Sequence, residues 1–80
     1  MQQRITTAGQ LGTIVRARRK ARGLSQAEVA AKLAVSQGRL STLESAPEGL
    51  TLERLLAWVH LLGLELVVQE RPSSPRETDW

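Results

Sequence analysis

Hydrogen-bonding side chains cluster between Ser36 and Thr42. Leu40, Leu43 and Glu44 share one stripe of a helix there, which leaves Gln37, Arg39, Ser41 and Thr42 on its other faces. An amide such as Gln37 can be bidentate to adenine, and a guanidinium such as Arg39 can be bidentate to guanine. The chemistry these types fit is the reading of base edges in a DNA major groove, with Ser36 and Gly38 completing the candidate set. Covalent chemistry has no comparable support. The chain has no cysteine and no glycine-rich phosphate loop, and its one histidine, His60, has neither a second His for a metal pair nor a nucleophile constellation around it. No enzymatic activity, metal or cofactor is expected.

The residues before and after this cluster predict the elements that hold it. Ser25 and Glu28 form a capping box that starts one helix, along which Val29, Ala30 and Leu33 recur on one face. Ser36 then caps the next, so Leu24 to Glu44 reads as two short helices joined by a tight turn, a helix-turn-helix. Upstream, Thr7 caps a first helix running to about Arg22, with Leu11, Val15 and Arg19 at successive steps of four and Ile14 beside them. Gly23 ends it. Arg19 and Glu44 both fall on core-facing stripes, and either charge alone would carry a large desolvation cost, so an ion pair between them is predicted.

After a loop over residues 45–50, Thr51 caps a fourth helix whose core stripe is Leu52, Leu55, Leu56, Val59 and Leu62. Trp58 and Leu61 lie off that stripe. They give this helix a second apolar face, read as a dimer contact, with extra burial inside the monomer as the alternative. Gly63 stops the helix, and Leu64 to Glu70 reads as a strand. A lone strand leaves its backbone groups unpaired, so its simplest partner is the same strand of a second copy across a two-fold axis. Leu64, Leu66, Val67 and Val68 join Trp58 and Leu61 as expected dimer residues.

The chain of 80 residues is expected to form one domain: an arm over 1–7, a folded unit over 8–70 and a disordered tail over 71–80 rich in proline, serine and charge. The fold expected is all-α, four to five helices with one C-terminal strand. Absence of cysteine fits a reducing cytosol. With no secretory-type leader and no apolar run of roughly 18–20 residues, no membrane partner is expected and a cytoplasmic location is. The formal charge of +3 conceals an asymmetry: residues 1–39 hold eight Lys or Arg against one acid, a net +7, and residues 40–80 carry a net −4. Arg16 to Lys20 alone reads equally well as a solvated helix face. Beside a helix-turn-helix it favours a polyanion, through phosphate contacts and counterion release. Ser25, Gln26, Arg22 and Lys32 are the candidate phosphate contacts.

The run Leu11-Gly12, Val15-Arg16, Arg19, Gly23 to Gln26, Glu28 to Ala30 and Ser36 to Glu44 resembles the helix-turn-helix of the phage-repressor and Xre family, a likeness that continues through Leu62-Gly63-Leu64. The resemblance implies a lambda-repressor-like domain in which Gln26 touches the DNA backbone and Ser36 to Thr42 face the groove. Ala34 stands where the family turn usually has glycine, and Arg18 where an apolar residue is common. The loop Ser45 to Gly49, the following Thr51-Leu52, the strand and the terminal Trp80 are similar to the HipB antitoxins. That likeness implies a homodimeric repressor on a double-stranded, palindromic operator, with a HipA-like kinase toxin as partner and Trp80 as the toxin-binding residue of the tail. A regulator without a toxin partner and a non-DNA-binding adaptor are the alternatives.

Overall fold

A computed structural model describes residues 2–72. Four helices follow one another, α1 over Ala8–Ala21, α2 over Gln26–Leu33, α3 over Gln37–Ser45 and α4 over Leu52–Leu61, with a 3-10 turn at Pro47–Gly49. Every α-helix starts on a Ser or Thr whose hydroxyl accepts a backbone N–H of the first turn: Thr7, Ser25, Ser36 and Thr51. In α1 and α2 the box is reciprocal. Gln10 Oε1 accepts from Thr7 N (3.1 Å), and Glu28 Oε1 accepts from Ser25 N (3.0 Å).

The helix ends are equally local in origin. At three of them a left-handed residue is followed by an apolar one, Gly23-Leu24, Ala34-Val35 and Gly63-Leu64, and the paired return bonds of a Schellman motif form. Leu24 N donates to Arg19 O, Val35 N to Ala30 O and Leu64 N to Val59 O, at 3.1, 3.0 and 2.8 Å. Leu24, Val35 and Leu64 then pack on the core. Ala34 holds φ 58°, a conformation that costs an L-residue with a Cβ roughly 1 kcal/mol. The α2–α3 turn keeps its shape despite lacking glycine.

Val15, Val29, Ala30, Leu40, Leu43, Trp58, Val59 and Leu62 form the buried core. Trp58 corrects an expectation: it is wholly buried within one chain and unavailable to a dimer contact, whereas Leu52, expected in the core stripe, is 64% exposed. With apolar residues on two sides, α4 could roll either way. It rolls toward Trp58 because burying an indole removes far more apolar surface than burying the leucine of the first turn. Residues 64–72 carry no helix, and among the described residues no strand forms within the single chain. The 73–80 part of the expected tail, Trp80 included, lies outside the described residues.

Helix α1 crosses α3 and the 3-10 turn at Gly12. A Cβ there would run into the Glu44 backbone carbonyl oxygen and would stand 3.5 Å from Pro47 Cδ, so the approach admits only glycine. Gly9, one turn earlier, faces open space, with nothing nearer than Thr7 Oγ1 at 4.0 Å. Two alanine substitutions in one helix should therefore differ in sign. Gly9→Ala gains about 0.5–1 kcal/mol from helix propensity, while Gly12→Ala loses about 1–3 kcal/mol as the helices are forced apart. Urea unfolding of the two variants measures both.

Candidate nucleic-acid interface

The side chains that position the α2–α3 unit converge on one carboxylate. Glu44 is buried on the inner face of α3, 5% exposed as a residue. Arg19 of α1 donates to it twice, Nε to Oε2 at 2.7 Å and Nη2 to Oε1 at 3.3 Å, and Gln26 Nε2 at the start of α2 donates to Oε1 at 3.0 Å. The remaining Arg19 nitrogen, Nη1, donates to Leu24 O at 2.9 Å, which ties the link between α1 and α2 to the same cluster. Three helices thus share one charge-assisted network whose polar atoms are paired, the condition under which a buried ion pair can persist.

On α3 the buried stripe Leu40, Leu43 and Glu44 leaves Gly38, Ser41, Thr42 and Ser45 on the outward face, all exposed. No side chain would crowd a Cβ at Gly38. Ser36 Oγ is occupied as the α3 cap, accepting from Arg39 N at 3.0 Å, and Thr42 Oγ1 donates to Gly38 O at 3.1 Å while retaining its lone pairs. Gln37 is exposed on the flank nearest Glu44. Arg39 is exposed on the other flank, its Nη2 only 3.4 Å from where a Cβ of Gly49 would sit. The six candidate base-reading positions therefore share one end of α3 without sharing one direction.

The candidate phosphate residues divide. Ser25 is exposed with its hydroxyl committed to the Glu28 N–H (3.0 Å), and Gln26 keeps one amide hydrogen and its carbonyl oxygen free beyond its bond to Glu44. Lys32 is exposed in the last turn of α2. Arg22 is exposed, with part of its guanidinium engaged on protein. Its Nη1 donates to Leu62 O at 3.3 Å, alongside Arg18 Nε at 3.0 Å, so both guanidinium groups share one carbonyl at the C-cap of α4. A helix C-terminus carries partial negative charge that attracts such cations. The signal in the sequence was Arg18 in a usually apolar position, which marks that side of α1 as facing protein. Ser45, Arg16 and Lys20 were not among the expected site residues. They line an open cleft between α1 and the end of α3, with Gly9, Thr13, Ala17 and Glu44.

At the start of α2 the Glu28 carboxyl is held below its ordinary range, first by the Ser25 backbone N–H that it accepts and then by the Ser25 hydroxyl; desolvation opposes these, and the nearby Lys32 charge adds the smallest lowering effect. Because the folded value is lowered, its contribution to stability is present above about pH 4.5 and is lost as the pH falls through the lowered value. Carboxyl-carbon NMR should find Glu28 titrating below a free glutamate, and the stability difference between wild type and Glu28→Gln should shrink across that same acid window. Removing one partner of the Arg19–Glu44 pair should cost more. Arg19→Met leaves a buried unpaired carboxylate and should lose about 3–5 kcal/mol, while Arg19→Met with Glu44→Leu should recover most of that loss. Chemical unfolding of the single and double variants reads the difference.

Among the described residues no helix is long and apolar enough to cross a membrane, and no group of three His, Asp or Glu side chains is placed to hold a metal. No curated protein matches the chain. Solved structures do. A chain of the "Structure of HipA-HipB-O2-O3 complex" superposes with a TM-score of 0.78 at 25% identity, covering 89% of this chain and 100% of that one. A chain described as "MDT Protein" gives the same four values. A chain of a HipB-O1-O2 complex superposes with a TM-score of 0.75 at 26% identity, over 86% of this chain and 100% of its own length. The helix-turn-helix family HTH_3 matches residues 15–69, which is more than half of the chain. On that match the protein belongs to the HTH_3 helix-turn-helix family, of the Xre type, and on the structural likenesses it is HipB-like.

Proposed function

We propose that the chain is a DNA-binding transcriptional repressor that acts as a homodimer on a palindromic operator and as the antitoxin of a HipA-like kinase toxin. The observation that carries the DNA part is α3 itself. Its inner face is consumed by the core and the Glu44 network, while Gly38, Ser41 and Thr42 stand outward, exposed and with side-chain hydrogen bonds only inside α3. Gln37 and Thr42 supply amide and hydroxyl groups toward base edges, and Gly38 lets the backbone come close. Gln26, oriented by Glu44, offers its free amide hydrogen to a phosphate, with Ser25 and Lys32 beside it. Chains of structures titled as HipA-HipB-O2-O3 and HipB-O1-O2 complexes share this fold across their whole length, which supports extending the reading to an operator and a HipA-like partner.

The dimer rests on the segment after α4. Leu66, Val67 and Val68 are 43%, 59% and 94% exposed, and Leu61 and Leu64 are half-buried beside them. An apolar, β-branched segment with unsatisfied backbone groups is completed most simply by its own copy across a two-fold axis. That pairing would set two α3 helices about 34 Å apart, one helical turn of DNA. Trp80 supplies the toxin-binding side chain in this reading.

Binding to duplexes from the chain's own promoter region tests the DNA part. Log affinity should fall linearly with log salt and exceed that for a scrambled duplex by at least tenfold. Equal affinity for both duplexes would count against a repressor. Mixing with the product of the adjacent gene should yield a complex that Trp80→Ala weakens, whereas no complex with either form removes the antitoxin reading. Val67→Lys should shift the sedimentation profile from dimer to monomer.

A further inference from the structure

A second cleft, of about 270 Å³, opens on the side of α3 away from Gln26. Val35, Leu43 and Leu50 form its apolar floor, Gly49 and Thr51 one rim, and Arg39 and Arg54 bring two guanidinium groups to it. Among the described residues neither arginine reaches a carboxylate, for the salt bridge found there is Arg19–Glu44. Arg39 makes no side-chain hydrogen bond to any of them. Arg54 makes one, Nη1 to Leu33 O at 3.3 Å, which leaves Nε and Nη2 unused and fixes the stem over the end of α2. Two like charges held on one small cleft repel each other until an anion enters, and planar guanidinium forks match the oxygens of a phosphate better than a point charge does.

The position of the cleft identifies which phosphate. An α-helix about 10–12 Å across fills a major groove about 12 Å wide, so residues on its flanks meet the groove walls and not the base edges. Arg39 is one residue on from the outward Gly38, about 100° around the helix axis. Its guanidinium lies toward Gly49, away from Gln37 and Gln26 on the opposite flank. The loop after α3, Ser45 to Gly49, has no cation of its own.

We infer that Arg39 and Arg54 form a clamp for a backbone phosphodiester of the bound duplex, on the groove wall opposite the one met by Gln26, and that Arg39 is a positioning residue and not a base reader. This rests on the DNA-binding reading above. The cleft supplies from one side of α3 the backbone contact that Gln26 supplies from the other, so the helix is held in the groove along both edges.

Fluorescence anisotropy with promoter and scrambled duplexes across a salt series separates the possibilities, using Arg39→Gln, Arg54→Gln and the double variant, each checked for an unchanged melting profile. Arg54→Lys joins the set to keep the charge should loss of the Leu33 contact lower stability. Each Arg→Gln change should weaken binding about three- to tenfold on both duplexes alike, leave the promoter-to-scrambled ratio unchanged, and reduce the salt slope by about one per bound chain. Unchanged affinity and slope overturn the clamp while the DNA reading stands. A drop in the promoter-to-scrambled ratio with Arg39→Gln, at unchanged slope, overturns it in favour of base reading. A wild-type chain that binds neither duplex removes the DNA reading and the clamp together.

Discussion

Glu44 is the residue on which the geometry of the whole domain depends. Its carboxylate collects Arg19 from α1 and Gln26 from α2, and its backbone carbonyl receives the bare Cα of Gly12. Three helices are therefore referenced to one residue of α3 by contacts that tolerate little displacement. The carboxylate needs its donors because it is buried, and the glycine contact admits no methyl group. In a domain with a core of eight side chains, apolar packing alone would leave the tilt of α3 poorly fixed, since apolar contacts are non-directional. The polar network adds direction.

The same economy governs the cations. Arg18 and Arg22 lie on the C-terminal carbonyl of α4, Arg54 reaches the end of α2, and Arg19 is internal. A large part of what reads as a basic surface is thus spent closing helix ends. Those remaining on exposed residues, among them Arg16, Lys20, Lys32, Arg39 and the unused Nε and Nη2 of Arg54, are the ones free to meet a polyanion. Net charge signalled the class of partner, but only the assignment of each guanidinium shows which face that partner meets.

Most of the framework is written locally, which is why it could be read. Ser and Thr caps, the Ser25/Glu28 box and the Gly23 and Gly63 stops act within four or five residues, so sequence spacing is enough to place them. Arg19 and Glu44 were legible as a pair because each falls on an apolar stripe where a lone charge is costly. Three things were not. Trp58 was misplaced because α4 is apolar on two sides and periodicity cannot say which side the rest of the chain covers. The contact of Arg22 with the Leu62 carbonyl is invisible in sequence because that partner lies 40 residues away and leaves no side-chain signature. The strand expected over 64–70 does not form among the described residues, because alternation in sequence marks a segment able to pair but supplies no partner for it.

Trp58 carries one further consequence. The chain has two tryptophans and no tyrosine or phenylalanine, so its near-ultraviolet optical properties come from two chromophores alone. One is sealed in the core with its indole N–H lacking any protein partner, an environment that blue-shifts emission, and the other is Trp80. Removing Trp80 would leave a chain whose intrinsic fluorescence reports only on the core. Folding could then be followed by its own colour, in the same cuvette as a titration with nucleic acid, without added dye.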